Sequence, residues 1–542
     1  MRKIKRSLCI ILTLVFALLT LVSCGSSETQ SKNAVDMSKE EVVTGNELPI
    51  SKEGVTLSIW SANTSQGYVK NYNEFEAFKE IAKRTGVTLD FVHPTGTARE
   101  QLNIMLASGD STDLVCYYFD ETMGKKMIND GTIHGLSSYI EKWAPNFRKL
   151  LEERPDVAKE ISNKSENIYM FPIIYDNTKF NAYDGYFIRK DWLDKVGLDM
   201  PTTIEEWEKV LIAFRDTDLN GNGKNDEVPF STTVSGLMYE DAFSSGFGLP
   251  SYGYFVDPET KKITHSLLKP EFKEFLTTIN RWYKEGLLNP NYITSTVDEL
   301  DALMINNQLG AVYIDNNNSL PKYGTKNPDA ELMAVPYPID KNGKSYHPNS
   351  IVVSSVSNLG AMITSSCENV KEAVRLMDYL YSKEASDLMY WGIEGESYTK
   401  DENGNYCHTS AILDNPDGKT PYEAICKYMT NTGFVGLHQY ESMLSLESNL
   451  PENIKKIKND SVNYSLMTDK SAALLSIATT IEEDEKISSI DSDLKTYLEE
   501  IFPKFILGTE PMSNYDSCVE MAIELGLNKR IEIMQNAYER TN

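Results

Sequence analysis

Between Val55 and Tyr118 the apolar pattern switches twice from strand spacing to helix spacing and back, and this limits the fold more than any other feature. Val55–Trp60 alternates as a strand does. Phe75, Phe78, Ile81 and Ala82 then recur at helical spacing, and Gly86 supplies a stop. Val87–Val92 reads as a second strand. Thr97 to Glu100 reads as a capping box opening a helix through Leu102, Met105 and Leu106. After Gly109-Asp110, Asp113–Tyr118 reads as a third strand. The order β-α-β-α-β predicts a parallel sheet with helices on its faces, which is the α/β class.

The alternation recurs further along. Thr203 to Glu206 predicts a capped helix whose apolar face carries Ile204, Trp207, Leu211 and Phe214. A helix is expected over Phe272–Glu285, stopped by Gly286. A strand is expected over Leu309–Ile314, followed by the polar turn Asp315-Asn-Asn-Asn318. Asn369 to Glu372 reads as the cap of a helix carrying Val374, Met377, Leu380 and Tyr381. The chain beyond Glu423 reads as mostly helical. Trp207 and Trp282 have apolar neighbours at helical spacing and are expected in the core. About 490 residues follow residue 52, more than one compact core holds, so two lobes are expected.

The leader itself is distinctive. Arg2, Lys3, Lys5 and Arg6 precede an apolar run from Leu8 to Val22, and Ser23-Cys24-Gly25 follows. A basic start, a short apolar stretch and a small residue before the cut mark a secretory signal over residues 1–23. The run is too short, with the wrong flanks, for a comfortable membrane span. Leu21-Val22-Ser23-Cys24 resembles the lipobox of bacterial lipoproteins. That resemblance implies acylation of Cys24, with chains such as palmitate, and a stable membrane anchor at the outer face. Residues 24–52 are polar and lack apolar periodicity, and are expected to form a flexible tether.

The formal charge is −26, and loss of the four leader cations makes the mature chain more acidic still. Such a chain will not track a phosphate backbone, which argues against nucleic acid as a partner. Apart from Cys24, the mature chain has Cys116, Cys367, Cys407, Cys426 and Cys518, with no CxxC spacing. Free thiols are expected, with Cys407–Cys426 as the one pair to consider for a bridge. The six histidines are dispersed, and neither HExxH nor GxSxG occurs. No enzyme signature emerges. A glycosidase carboxylate pair stays open, because two acids among so many leave no local motif.

Residues 216–227 carry the sharpest local motif. Asp216, Asp218, Asn220, Asn222, Asp226 and Glu227 place oxygen-bearing side chains around Gly221 and Gly223. Calcium takes six to eight oxygens in flexible geometry, and a loop of this kind can wrap them about one ion. One register starts at Asp216 and reaches Glu227 at the twelfth place. The other starts at Asp218 and uses Asn220, Asn222, the Lys224 carbonyl, Asp226 and Glu227. No basic or nucleophilic residue adjoins the loop in a way that suggests chemistry, so the ion is expected to be structural.

Ile188 to Leu198, then Met200 to Trp207, the loop followed by Val228-Pro229, and Trp391-Gly-Ile-Glu-Gly395 together resemble the ABC-transporter extracellular solute-binding proteins of family 1. The similarity is to the large subgroup of LipO-like lipoproteins and alginate-oligosaccharide-binding proteins. The resemblance implies a two-lobed, type II periplasmic-binding-protein-like fold with a hinge and many added C-terminal helices. It divides the chain into a first part of lobe 1 (53–184), a first part of lobe 2 (185–350) and returning segments that complete both (351–542). It favours the calcium register of Asp218, Asn220, Asn222, Lys224, Asp226 and Glu227. It implies a carbohydrate ligand, most simply an oligosaccharide, though another small polar solute stays open. It also implies delivery to ABC permease subunits by a monomeric, non-enzymatic receptor. A secreted carbohydrate-active hydrolase and a surface adhesin or sensor are the alternatives.

Ligand contacts in such sheets lie at strand ends. The candidates are Trp60, Tyr118, Asp184, Tyr186, Arg189, Asp315, Asn316, Trp391 and Glu394. Aromatic faces would stack on sugar rings, and carboxylates, Asn and Arg would bond hydroxyls. Each has a plainer role open to it: core packing for the aromatics, an ion pair with the following helix for Arg189, and a surface turn for Asp315 and Asn316.

Overall fold

The computed structural model of the chain describes residues 35–541 apart from 63–68, 110, 120, 165–166, 239–241, 317–318, 328, 348–353, 418, 430–433, 475–476 and 478. The signal segment, Cys24 and the start of the tether lie outside the described residues.

Two sheets organise the molecule. The first contains β1 (Val55–Ser61), β2 (Val87–Val92), β3 (Leu114–Tyr118), β4 (Phe171–Tyr175), and, from later in the chain, Val356–Ile363 and Gly436–His438. β1 pairs in parallel with both β2 and β3, as the alternating pattern requires. The second sheet contains β5 (Asp184–Arg189), β6 (Val228–Ser231), β7 (Leu309–Asp315) and β8 (Leu332–Val335), in the order β8-β5-β7-β6. The remaining two strands of the first sheet are β9 (Val356–Ile363) and β10 (Gly436–His438), which gives it the order β10-β4-β9-β3-β1-β2. β9 runs against both β3 and β4. Each sheet has its own core. Leu57, Ile59, Phe75, Trp143 and Trp391 are buried in the first lobe, and Tyr186, Trp207, Phe243 and Trp282 in the second.

The chain passes between the sheets at 176–183, at 336–355 and after His438. The last passage leads to the helix Glu452–Met467, which packs on β5 and β8. The long helix Ile481–Leu507 then packs on Pro270–Lys284 and completes the second lobe.

Local signals worked unevenly. Gly86 and Gly109 end their helices in the left-handed conformation, at φ 70° and 72°, where a side chain would be strained. The Thr203–Glu206 capping box forms. Neither the Thr97 nor the Asn369 side chain accepts a cap bond from its helix, so the capping box expected at Thr97 is not made.

Residues 35–52 correct the expectation of a tether free up to residue 52. Val43 N–H donates to the Lys142 carbonyl at 2.7 Å, Arg148 donates to the Val43 carbonyl at 2.8 Å, and Met37, Val43 and Ile50 pack on the first core. Three isolated apolar side chains suffice to dock an otherwise polar segment, and they leave no periodicity to read.

All five described cysteines are free, including Cys407 and Cys426. Among the described residues no helix is long and apolar enough to cross a membrane.

Candidate functional site

The strand directions decide where a ligand can sit. β1, β2, β3, β4 and β10 end on one edge of the first sheet, where Ser61, His93, Tyr118, Asp176 and Gln439 follow or close them. β6, β7 and β8 end on one edge of the second sheet, at Ser231, Asp315 and Tyr337, and β5 starts there at Asp184. The short passage 176–183 joins the end of β4 to the start of β5, which keeps these two edges beside each other.

On the first lobe, Tyr118 is 53% exposed at the end of β3, large for an aromatic side chain, and meets Tyr117 edge-on with ring centroids 5.9 Å apart. Tyr175 lies at the end of β4, against the His438 ring at 5.7 Å. Burial pushes its phenol up, and the Tyr118 phenol adds to the shift. Asp176 follows, with an exposed carboxylate that accepts the Tyr440 N–H at 3.0 Å. Burial of part of this carboxyl raises its pKa. The histidines at this edge carry no charge near neutral pH. Burial pushes His438 down to about 3 and also lowers His93, whose Nδ1 lies 2.7 Å from the Ser61 carbonyl.

The two lobes meet electrostatically here. Tyr422, packed on the first core, donates to Glu447 at 2.7 Å. Its phenol is pushed well up by burial, then by Glu447, and further by Asp315 of the second lobe. Glu447 in turn binds Lys458, which stands on the helix packed against β5 and β8. Tyr422, Glu447 and Lys458 therefore form a buried polar chain from one lobe to the other.

The sequence-derived candidates divide on inspection. Tyr118 and Asp315 stand at the facing edges. Asp184 stands at the same edge but is buried, 3.4 Å from both the Tyr337 hydroxyl and His347 Nε2, and its Oδ2 has no partner among the described residues. Asn316 is fully buried on the opposite face of the sheet, where its amide donates to the Ala182 carbonyl at 3.1 Å.

Four candidates prove to be interior, and a fifth, Glu394, is an exposed ion-pair partner. Trp60 is buried in a satellite core with Leu102, Val115 and Phe119, because β1 runs one residue past it. Tyr186 is buried among Trp207, Phe243, Tyr313 and Tyr337, its hydroxyl capping the Phe243 N–H. Arg189 is closed in a bidentate pair with Asp191 at 2.7 and 2.6 Å, over the Trp192 ring at 4.7 Å. Trp391 stacks on His408 at 4.9 Å and donates to Gln439 at 2.9 Å inside the first core. Glu394 is exposed and pairs with Lys400 at 3.3 Å. Sequence reasoning missed Tyr175, Asp176, Tyr422 and Tyr440. Only the pairing of β4 with β9 and β10, distant in sequence, identifies the end of β4 as an edge position.

The loop 216–227 curls on itself. Asp218 accepts the N–H groups of Gly221, Asn222 and Gly223 at 2.8–3.2 Å. Asn222 Oδ1 accepts Lys224 N–H at 2.8 Å, and the Asn220 and Asn222 amides hold Asp226 below the usual carboxylate range. Glu227 Oε1 accepts Leu219 and Asn220 N–H, while its Oε2 is buried with no partner among the described residues. Asp216 faces away from this ring in an ion pair with Arg215 at 2.7 Å. Among the described residues no three His, Cys, Asp or Glu side chains gather into a metal-ready group, and the loop's own set is mixed, with two asparagines and a backbone carbonyl. The Asp218, Asn220, Asn222 and Asp226 oxygens are taken up by hydrogen bonds within the loop, and the orphaned Glu227 oxygen together with the loop's oxygen-only donor set is what fits a hard cation.

Known proteins resemble this chain along most of its length. FusA, the fructooligosaccharide ABC transporter substrate-binding protein of Streptococcus pneumoniae, is 24% identical over 97% of each chain. A structure of its EF-hand mutant in complex with fructo-nystose superposes with a TM-score of 0.74 at 22% identity, covering 90% of this chain and 99% of that one. Lipoprotein LipO of Bacillus subtilis is 22% identical over 85% of this chain and 88% of its own. The alginate-binding protein AlgQ2 without calcium ion gives a TM-score of 0.72 at 20% identity, over 91% of this chain and all of that one. The model of the bacterial extracellular solute-binding protein family matches residues 70–387, more than half of the sequence. On that match, and on two facing strand-end edges joined by a short crossing, the chain belongs to the bacterial extracellular solute-binding proteins.

Proposed function

We propose that this chain is a receptor, held at the outer face of a bacterial membrane through an acylated Cys24, that binds an oligosaccharide between its lobes and hands it to an ABC importer permease. The observation that carries the reading is the exposed Tyr118 ring, standing with Asp176 at the edge that faces Asp315 of the other lobe. An aromatic face stacks on a sugar ring, and carboxylates accept its hydroxyls. The relatives' transport roles and the lipobox-like Leu21-Val22-Ser23-Cys24 support the same reading. Residues 53–184 and 185–350 would supply most of the two lobes and 351–542 the segments that complete them. A calcium ion held by Asp218, Asn220, Asn222, Lys224, Asp226 and Glu227 would pin the turn that leads into β6.

Ligand would favour the closed arrangement by no more than its difference in affinity for the two states. Calorimetric titration with oligosaccharides, followed by chromatography of the sugar, tests the reading. Saturable binding with the sugar recovered intact is expected. Turnover would assign the chain to the hydrolases instead, and no binding to any saccharide would remove the carbohydrate assignment.

A further inference from the structure

We propose that Lys125 is a positioning residue of the receptor: it clasps the two lobes together at a point apart from the chain crossings, and so raises the fraction of ligand-free protein in the closed arrangement. The inference rests on the two-lobed receptor reading above, and not on which saccharide is bound.

The crossings gather in one place. They join the first sheet at β4, β9 and β10, which lie side by side at one end of it. They meet the second sheet at β5 and β8, which also lie side by side at one end. Such a cluster of connections acts as a hinge, and rotation about it displaces whatever bridges the lobes elsewhere.

A fourth junction exists that no crossing supplies. The helix Glu121–Asn129, which follows β3, packs on the long helix Ile481–Leu507 of the second lobe. Lys125 Nζ donates to the Glu121 carboxylate, one turn back on its own helix, and to the Thr479 carbonyl at the head of the long helix. The Lys125 and Glu121 side chains are only 13% and 14% exposed, so this charged contact is largely shielded from water.

Both sides of the clasp are held in place. On the first lobe, Gly124 lets the helix lie against the Tyr169 ring, which a Cβ would approach to 2.4 Å, and Met127 is buried in the satellite core beside Trp60 and Phe119. On the second, Thr479 precedes the N-cap Thr480, so its carbonyl stands outside the helix's own hydrogen-bond ladder. The Thr480–Glu483 capping box and a bond from the Thr479 hydroxyl to the buried Asp484 fix the direction of that carbonyl. Arg540 of the last helix binds Glu483 at 2.5–2.9 Å. A charge-assisted bond between two preorganised bodies is strong when made and is lost when they part. The apparent dissociation constant of a two-state receptor is its intrinsic value divided by the fraction in the competent state. Loss of the clasp therefore weakens binding without removing any ligand contact.

The test compares the parent protein with Lys125→Met and Lys125→Arg, by small-angle scattering without ligand and by calorimetric titration with gluco-, fructo-, galacto- and manno-oligosaccharides. Lys125→Met is expected to have a larger radius of gyration and to bind about tenfold more weakly. Lys125→Arg, which keeps the charge and the donors, is expected to restore both. Should Lys125→Met fail to fold, Lys125→Gln carries the same test. An unchanged radius of gyration overturns the inference: with unchanged affinity Lys125 has no role in closure, and with weakened affinity it is a ligand contact instead. Absence of binding by every saccharide overturns the carbohydrate reading, and the ligand-free scattering still decides the clasp.

Discussion

Asp184 and Asp315 stand directly opposite each other in the antiparallel β5–β7 pair, so two carboxylates share one face of the second sheet at its cleft edge. Like charges in that position oppose pairing. His347 Nε2, 3.4 Å from Asp184, and the Tyr337 hydroxyl are the groups that offset this cost. Removing the imidazole should therefore be felt twice, through a lost partner and through an uncompensated buried acid. His347→Ala is expected to lower unfolding stability by about 1–3 kcal/mol. Asp184→Asn in the same background should recover part of that loss. Denaturant titration of both single variants and the double variant measures the coupling, and strict additivity would argue against the pair.

The Tyr118 ring is exposed and supports no core, so its removal separates binding from stability. Tyr118→Ala is expected to weaken saccharide binding by about 1.5–3 kcal/mol, roughly ten- to a hundredfold, while stability moves by no more than about 0.5 kcal/mol. Titration calorimetry and thermal melts on the same variant check the two halves.

Calcium should stabilise the fold by binding the native loop alone. Millimolar calcium is expected to raise the unfolding temperature by a few degrees over a chelator control. Glu227→Gln and Asp218→Asn should abolish that difference, since they alter the buried, unpartnered Glu227 oxygen and the carboxylate about which the loop curls. An undiminished calcium shift in both variants would place the ion elsewhere.

His438 and Asp378 give pH dependences of opposite sign. Burial holds the folded pKa of His438 at about 3, below its ordinary 6.5, so its contribution is fully present above pH 6.5 and lost as pH falls toward 3. The loss is at most about 1.4 kcal/mol per pH unit. Burial raises Asp378 to about 6, against hydrogen bonds from Phe147 and Asn146 that lower it. Its contribution is present below about pH 4 and lost as pH rises through 6. His438→Phe should therefore gain on the parent protein as pH falls from 6.5 to 4, and Asp378→Asn should gain by about 2–3 kcal/mol as pH rises from 4 to 7. Chemical denaturation across that range checks both signs.

The sequence by itself determined the α/β class, the three parallel strands of the first sheet, the helix stops at Gly86 and Gly109, and the Thr203–Glu206 cap. Those features depend on residues within a few positions of one another, where periodicity and capping chemistry act. It also put Tyr118 and Asp315 near strand ends, because the strands they close are legible in the local pattern. Only the tertiary structure decided that Tyr186 and Arg189 are interior, since their partners Phe243 and Asn307 lie far along the chain. The same holds for Asp176 and Tyr440. They become neighbours because β10 pairs with β4 across more than 250 residues, a relation set by strand pairing and core burial that no local pattern encodes.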